Sequence, residues 1–145
     1  MGLLSRLTGS VTPQKKATDD VLLLHGLLLM CSADGAMEDG ELDTVQAFFN
    51  TLPEFAGKDF HELLEQCNKV ISKFGNLKES VKALGDLSND KVKQKCFVLC
   101  ADIAMSSGDV DEAEDRMLEA MQRILGIDDA TAQKCLEVLS IKYAV

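Results

Sequence analysis

The sequence predicts an all-α protein. Three observations carry the prediction. Apolar residues recur at helical spacing in one segment after another, no stretch sustains the period-two alternation of a strand, and only two prolines interrupt 145 residues. Hydrophobic residues make up 46% of the chain, enough for one buried core and too much for a disordered polymer.

Residues 1–17 read as a short amphipathic segment, with Leu3, Leu4 and Leu7 beside Arg6, followed by a polar loop containing Pro13. Residues 18–145 read as a single helical domain. Thr18 or Asp19 caps a first main helix, Val21 to about Ser32, that is apolar all round except for His25 and Gly26. At that length it is a core helix and not a membrane span. Gly35 is placed to stop it in the left-handed conformation. A second helix starts near Glu38, aligns Leu42, Val45, Phe48, Phe49 and Leu52, and ends at Pro53. The third, from about Lys58 to Phe74, aligns Phe60, Leu63, Leu64, Cys67, Val70 and Ile71. Gly75-Asn76 breaks it before a shorter helix carrying Leu77, Val81, Leu84 and Leu87. Ser88, Asn89 or Asp90 caps the fifth, with Val92, Cys96, Leu99, Cys100 and Ile103 on its stripe. The sixth runs from Asp111 to about Leu125 and stops at Gly126, and Asp128 caps the last.

Charge narrows the function. The net charge is -9, and the acids concentrate in residues 33–65 and 101–145, with an excess of lysine between them. Such a chain lacks the basic face that nucleic acid requires and suits cations or basic surfaces instead. The five cysteines are odd in number and form no Cys-x-x-Cys pair, and each sits among apolar residues. They read as reduced thiols in a cytoplasmic protein; Cys96 and Cys100, four apart on one face, leave a redox or metal pair open. Met1 to Ser10 lacks the apolar core of a secretory leader. His61 and Glu65 share a face, but Glu65 stands where a zinc motif needs histidine, and no phosphate loop, dinucleotide fingerprint or catalytic triad is present. The protein is expected not to be an enzyme.

One pattern occurs twice. Asp34-Gly35 and Ser107-Gly108 each follow an apolar helix and precede an acidic helix start, and a shift of 73 residues also brings Glu38 onto Asp111, Glu41 onto Glu114 and Val45 onto Leu118. The chain therefore reads as an internal duplication of three-helix units, roughly 18–75 and 89–145, related by a pseudo-twofold axis. Asp34, Glu38, Asp39 and Glu41 crowd the first turn; Asp109, Asp111, Glu112 and Glu114 crowd the second. Grouped carboxylates suit hard cations, which take oxygen ligands, although neither turn has the glycine and glutamate positions of an EF-hand. The same acids also make capping boxes, Glu38 with Glu41 and Asp111 with Glu114, and they complement the helix dipole. Capping alone and capping with cation binding both stand on the residues.

The paired Ala-Asp-Gly-x-x-x-x-x-Glu and Ser-Ser-Gly-Asp-x-Asp-x-x-Glu segments, each behind a buried helix, resemble the TerB family of tellurite-resistance proteins from about residue 18 to 143. The resemblance implies two similar three-helix halves and a role in a tellurite-resistance and stress-response system. It implies an integral membrane partner of that system, hence a cytoplasmic protein peripheral to the inner membrane. It also implies divalent metal (Ca²⁺, Mg²⁺, Mn²⁺ or Zn²⁺) at the acidic turns. The chain departs from the family at Ser107, where the pattern has the aspartate seen here at Asp34; Asp109 is near enough to substitute. Two alternatives remain: cysteines that handle the tellurium oxyanion, which requires an exposed thiolate, and a structural adaptor whose acids only cap helices.

Overall fold

The computed structural model describes residues 17–33, 39–74, 76–106 and 108–145; the side chains of Asp39 and Ile71 lie outside the description. The expected leucine segment, the glycine stop at Gly35 and the Glu38 half of the first capping box fall outside these residues. Among the described residues the protein is all-helical: α1 (Asp19–Cys31), α2 (Asp39–Thr51), α3 (Phe60–Ile71), α4 (Leu77–Lys82), α5 (Asp90–Ser106), α6 (Glu112–Leu125) and α7 (Asp129–Lys142). Short 3-10 turns follow α2 (Pro53–Phe55) and α4 (Ala83–Asp86).

The boundaries follow local chemistry. Asp59, Asn76, Asn89, Asp111 and Asp128 each place a side-chain oxygen on backbone N–H groups of the following first turn. Gly126 ends α6 at φ 66°, a conformation in which a side chain would clash with its own carbonyl. Leu84 and Leu87 are buried as expected, but they lie in and just after a 3-10 turn and not on a continued α-helix.

Helix α1 is the centre of the molecule. Every residue from Asp20 to Cys31 is buried. α2, α3, α5, α6 and both 3-10 turns pack around it. Because it is apolar on all sides it has no solvent face to present, and the remaining helices wrap it with their apolar stripes. The side chains of α2, α3 and the first 3-10 turn lock together through Phe49, which stacks on Phe55 at 4.6 Å and meets Phe60 edge-on at 5.1 Å.

Helices α1 and α5 run side by side in the same direction. At their starts the Asp19 carboxylate accepts from the backbone N–H of Ser88 at 2.9 Å and from its hydroxyl. Midway, Gly26 lets the backbones close up. A Cβ there would stand 3.0 Å from Cys96 Sγ and 3.4 Å from both Cys100 Sγ and Leu84 Cδ2. Replacing Gly26 with Val wedges these helices apart. Overpacking of this kind is expected to lower the unfolding free energy by about 1–3 kcal/mol, measured by urea denaturation.

Two polar groups inside this helix set the response to pH. Asp20 is buried, which alone would raise its pKa, but Lys58, the Thr18 hydroxyl and the Val21 N–H hold the carboxylate, so its pKa falls below the usual 3.8. Burial lowers the pKa of His25 from 6.5, partly offset by a 2.8 Å contact of Nε2 with the Ser80 carbonyl, while Nδ1 finds no partner among the described residues. In both cases the unfolded chain takes up the proton first as pH falls. Stability is therefore expected to be full above about pH 6.5, to decline below it as the unfolded histidine protonates, and to decline again below about 4 through Asp20. Urea midpoints across this range check the profile, with His25→Gln removing the first decline and Asp20→Asn reducing the second, to which Asp128, held low by its hydrogen bonds to Thr131, also contributes.

Candidate functional site

The start of α2 and the second acidic turn share one cavity. Helices α1 and α5 end at the same end of the bundle, beside the starts of α2 and α6. A cavity of about 600 Å³ lies between these four helix ends. Met30 and Cys31 contribute from α1, Gly40, Glu41 and Thr44 from α2, and Ile103 and Ser106 from α5. Asp109, Asp111 and Glu114 complete it from the second turn and the start of α6. Apolar side chains thus form part of the wall, and carboxylates and hydroxyls form the rest.

Backbone dipoles shape the field in this space. The starts of α2 and α6 carry partial positive charge, which offsets part of the repulsion among the acids; the ends of α1 and α5 carry partial negative charge, which adds to it. Part of the acidic set is already engaged. Asp111 caps α6 by accepting from the Glu114 N–H at 2.7 Å, and Glu114 reaches back to accept from the Asp111 N–H at 3.2 Å. This is the complete capping box that the spacing of the two acids predicts.

Four of the eight acids singled out in the sequence, Glu41, Asp109, Asp111 and Glu114, line the cavity. Asp34 and Glu38 lie outside the described residues, as does the side chain of Asp39, whose backbone opens α2. Glu112 lies outside the cavity lining, paired with Arg116 one turn on at an exposed position. Among the described residues, no three His, Cys, Asp or Glu side chains gather closely enough to hold a metal ion. In the geometry described, the carboxylates share a cavity without forming a closed ligand shell.

Cys31 is the cavity residue that the sequence reading passed over as a packing thiol. Its Sγ lies 3.9 Å from the Glu41 carbonyl oxygen. Burial first, then the charges of Glu41 and Glu114, push its pKa up to about 12. Its place as the last residue of the helix before the acidic turn was the available signal. Three other thiols fare no better as nucleophiles. Burial and the Asp20 charge raise Cys67 to about 12. Cys100, hydrogen-bonded to Cys96 and fully buried, is raised as well, and so is Cys135, by burial and by Asp102. His61, one turn before Glu65 on α3, has its ring edge-on to Phe60 at 5.8 Å.

Fold and site together define a class: an all-helical protein that brings two acidic helix starts to one cavity. The chain belongs to the TerB family, whose description, Tellurite resistance protein TerB, matches residues 21–136. The matched span runs from the start of the buried helix α1 into α7 and includes both acidic turns. No curated protein and no solved structure matches the chain.

The burial of the thiols has a direct consequence. With Cys31, Cys67, Cys96 and Cys100 buried and only Cys135 partly exposed, a bulky thiol reagent is expected to label at most one cysteine per native molecule and all five after unfolding. Mass spectrometry of the labelled protein counts them.

Proposed function

We propose that this protein is a non-enzymatic module of a tellurite-resistance and stress-response system, binding a divalent cation at its two acidic turns and docking protein partners. One of those partners is an integral membrane protein of the system, which brings the module from the cytoplasm to the inner membrane. No helix among the described residues is long and apolar enough to cross a membrane.

The observation that supports cation binding is the convergence of Glu41 with Asp109, Asp111 and Glu114 on one cavity, although the turns are 73 residues apart in the chain. The donor set fits a hard cation: carboxylates, with the hydroxyls of Thr44 and Ser106 in the same wall. Asp34, Glu38 and Asp39 of the first turn and Glu112 of the second belong to the same proposal. A bound ion offsets the mutual repulsion of these acids and competes with the capping box for the oxygens of Asp111 and Glu114. The elevated thiol pKa values disfavour the alternative in which cysteines carry the oxyanion. The capping box, in contrast, favours a structural adaptor without metal, so the test must separate charge from capping.

Asparagine caps helices as well as aspartate does, and glutamine serves in a capping box as glutamate does. Asp111→Asn with Glu114→Gln therefore keeps the helix start and removes two charges. Titration with Ca²⁺, Mg²⁺, Mn²⁺ and Zn²⁺, followed by amide NMR, is expected to shift Glu41 and Asp109 through Glu114. The double variant is expected to bind about tenfold more weakly with an unchanged helix content. Silence at these amides in millimolar metal removes cation binding and leaves the adaptor.

A further inference from the structure

On the other side of α6 lies a second cavity of about 510 Å³, an open groove between α4 and α6. Its floor is apolar: Leu77 and Val81 on one side, and Met117, Ala120 and Ile124 on the other, with Ala113 at one end. Leu77 is 50% exposed, a large apolar side chain left facing water at the groove wall. The rim is basic. Lys78 and Lys82 stand on α4, and Arg116 and Arg123 on α6. This is four of the fifteen Lys and Arg residues gathered around one groove of a chain with net charge -9. Arg116 pairs with Glu112 at the surface, whereas Lys78, Lys82 and Arg123 make no ion pair among the described residues.

From this we propose that the α4–α6 groove is a docking site for an acidic amphipathic helix of a partner protein. The proposal gives a location to the partner-docking half of the reading above and is independent of its cation half. Three features fix the occupant's chemistry. The α6 positions 113, 117, 120 and 124 follow helical spacing and extend for about three turns, roughly 16 Å, which matches the apolar stripe of an incoming helix. Ala113 and Ala120 leave the α6 side of the floor shallow, so that a second helix backbone can come close. The cations are spread along the groove, with Arg116 and Arg123 about 10 Å apart and Lys78 and Lys82 about 6 Å apart by helix rise. One lipid or phosphate headgroup cannot reach all four; carboxylates repeated along a helix can. Opposite charge on the partner's flanks steers it into register, and burial of the apolar floor holds it.

The test uses the full-length protein and a labelled synthetic helix with Leu at i, i+3, i+4 and i+7 and Glu on both flanks. Saturable binding by fluorescence anisotropy is expected, with amide shifts at Leu77, Ala120 and Ile124. Lys78→Glu with Arg123→Glu changes only exposed side chains, and an unchanged melting temperature verifies its fold. It is expected to weaken binding at least tenfold, and a control peptide with every Glu replaced by Lys is expected not to bind. Equal affinity in the charge-reversed variant, or shifts away from the groove, overturns the proposal. So does binding of phosphatidylglycerol vesicles at these residues without binding of the peptide, which assigns the groove to a membrane surface. A Leu3→Glu, Leu7→Glu variant that shifts Leu77 and Ile124 with no peptide present places the chain's own leucine segment there and also overturns it. Loss of peptide binding leaves the metal titration untouched, so the two readings fail separately.

Discussion

The removal of α1 from water, at every residue from Asp20 to Cys31, constrains everything around it. A helix that is apolar on every side forces the others to enclose it, and each polar group it carries must be satisfied inside the protein. Most of that demand is met by groups brought in from other elements, with His25 Nδ1 left without a partner among the described residues. Asp20 takes Lys58, Thr18 and its neighbour's N–H, and His25 takes the Ser80 carbonyl. Cys67 on α3 points its thiol at the Val21 carbonyl at 3.3 Å. Gly26 does the opposite job, giving up side-chain volume so that α5 can come close. The result is a buried axis, and the candidate surfaces lie at its end and around its outer layer.

At that end, four helix termini and several carboxylates occupy one space. The acids there have two competing uses for the same oxygens. As caps they satisfy N–H groups that would otherwise lack partners, and as a charged group they concentrate negative potential where the α1 and α5 carbonyl ends already point. The Asp111–Glu114 box shows how far the first use has gone in the second turn. It also explains why composition alone cannot distinguish an acidic helix start from a cation site: the local geometry is the same for both.

Features decided within a few residues were legible in the sequence. The caps at Asp111 and Asp128, the stop at Gly126 and the burial of α1 all follow from residue type and spacing, and all stand in the structure. Features decided by packing were less legible. That Glu41 would share a cavity with Asp109, Asp111 and Glu114 depends on how α1 and α5 lie together, which no local pattern encodes. Cys31 was read as a small hydrophobe because its neighbours in sequence are apolar; its neighbours in space include two acids. The sequence shows only an excess of lysine in the middle of the chain. Lys78 and Lys82 became interpretable only once α4 lay beside α6, since half of the groove comes from residues about forty positions later in the chain. The 73-residue repeat predicts the similar acidic turns, and the helix pairs α1–α2 and α5–α6 occupy corresponding places in the chain.

The tie between Asp19 and Ser88 acquires a mechanical meaning from what lies at the opposite end. Two parallel helices are clasped at their starts and pressed together at Gly26, and beyond that they bound a cavity full of like charge. Such an arrangement has the geometry of a pair of tweezers, with its pivot at the Asp19–Ser88 clasp and its tips at Cys31 and Ser106. Over the thirteen residues of α1 the arm is about 20 Å long. A small angular change near the pivot becomes a larger change in spacing between the tips. Helix α6 packs against both α1 and α5, so the spacing of the two arms and the seat of α6 are set by the same contacts.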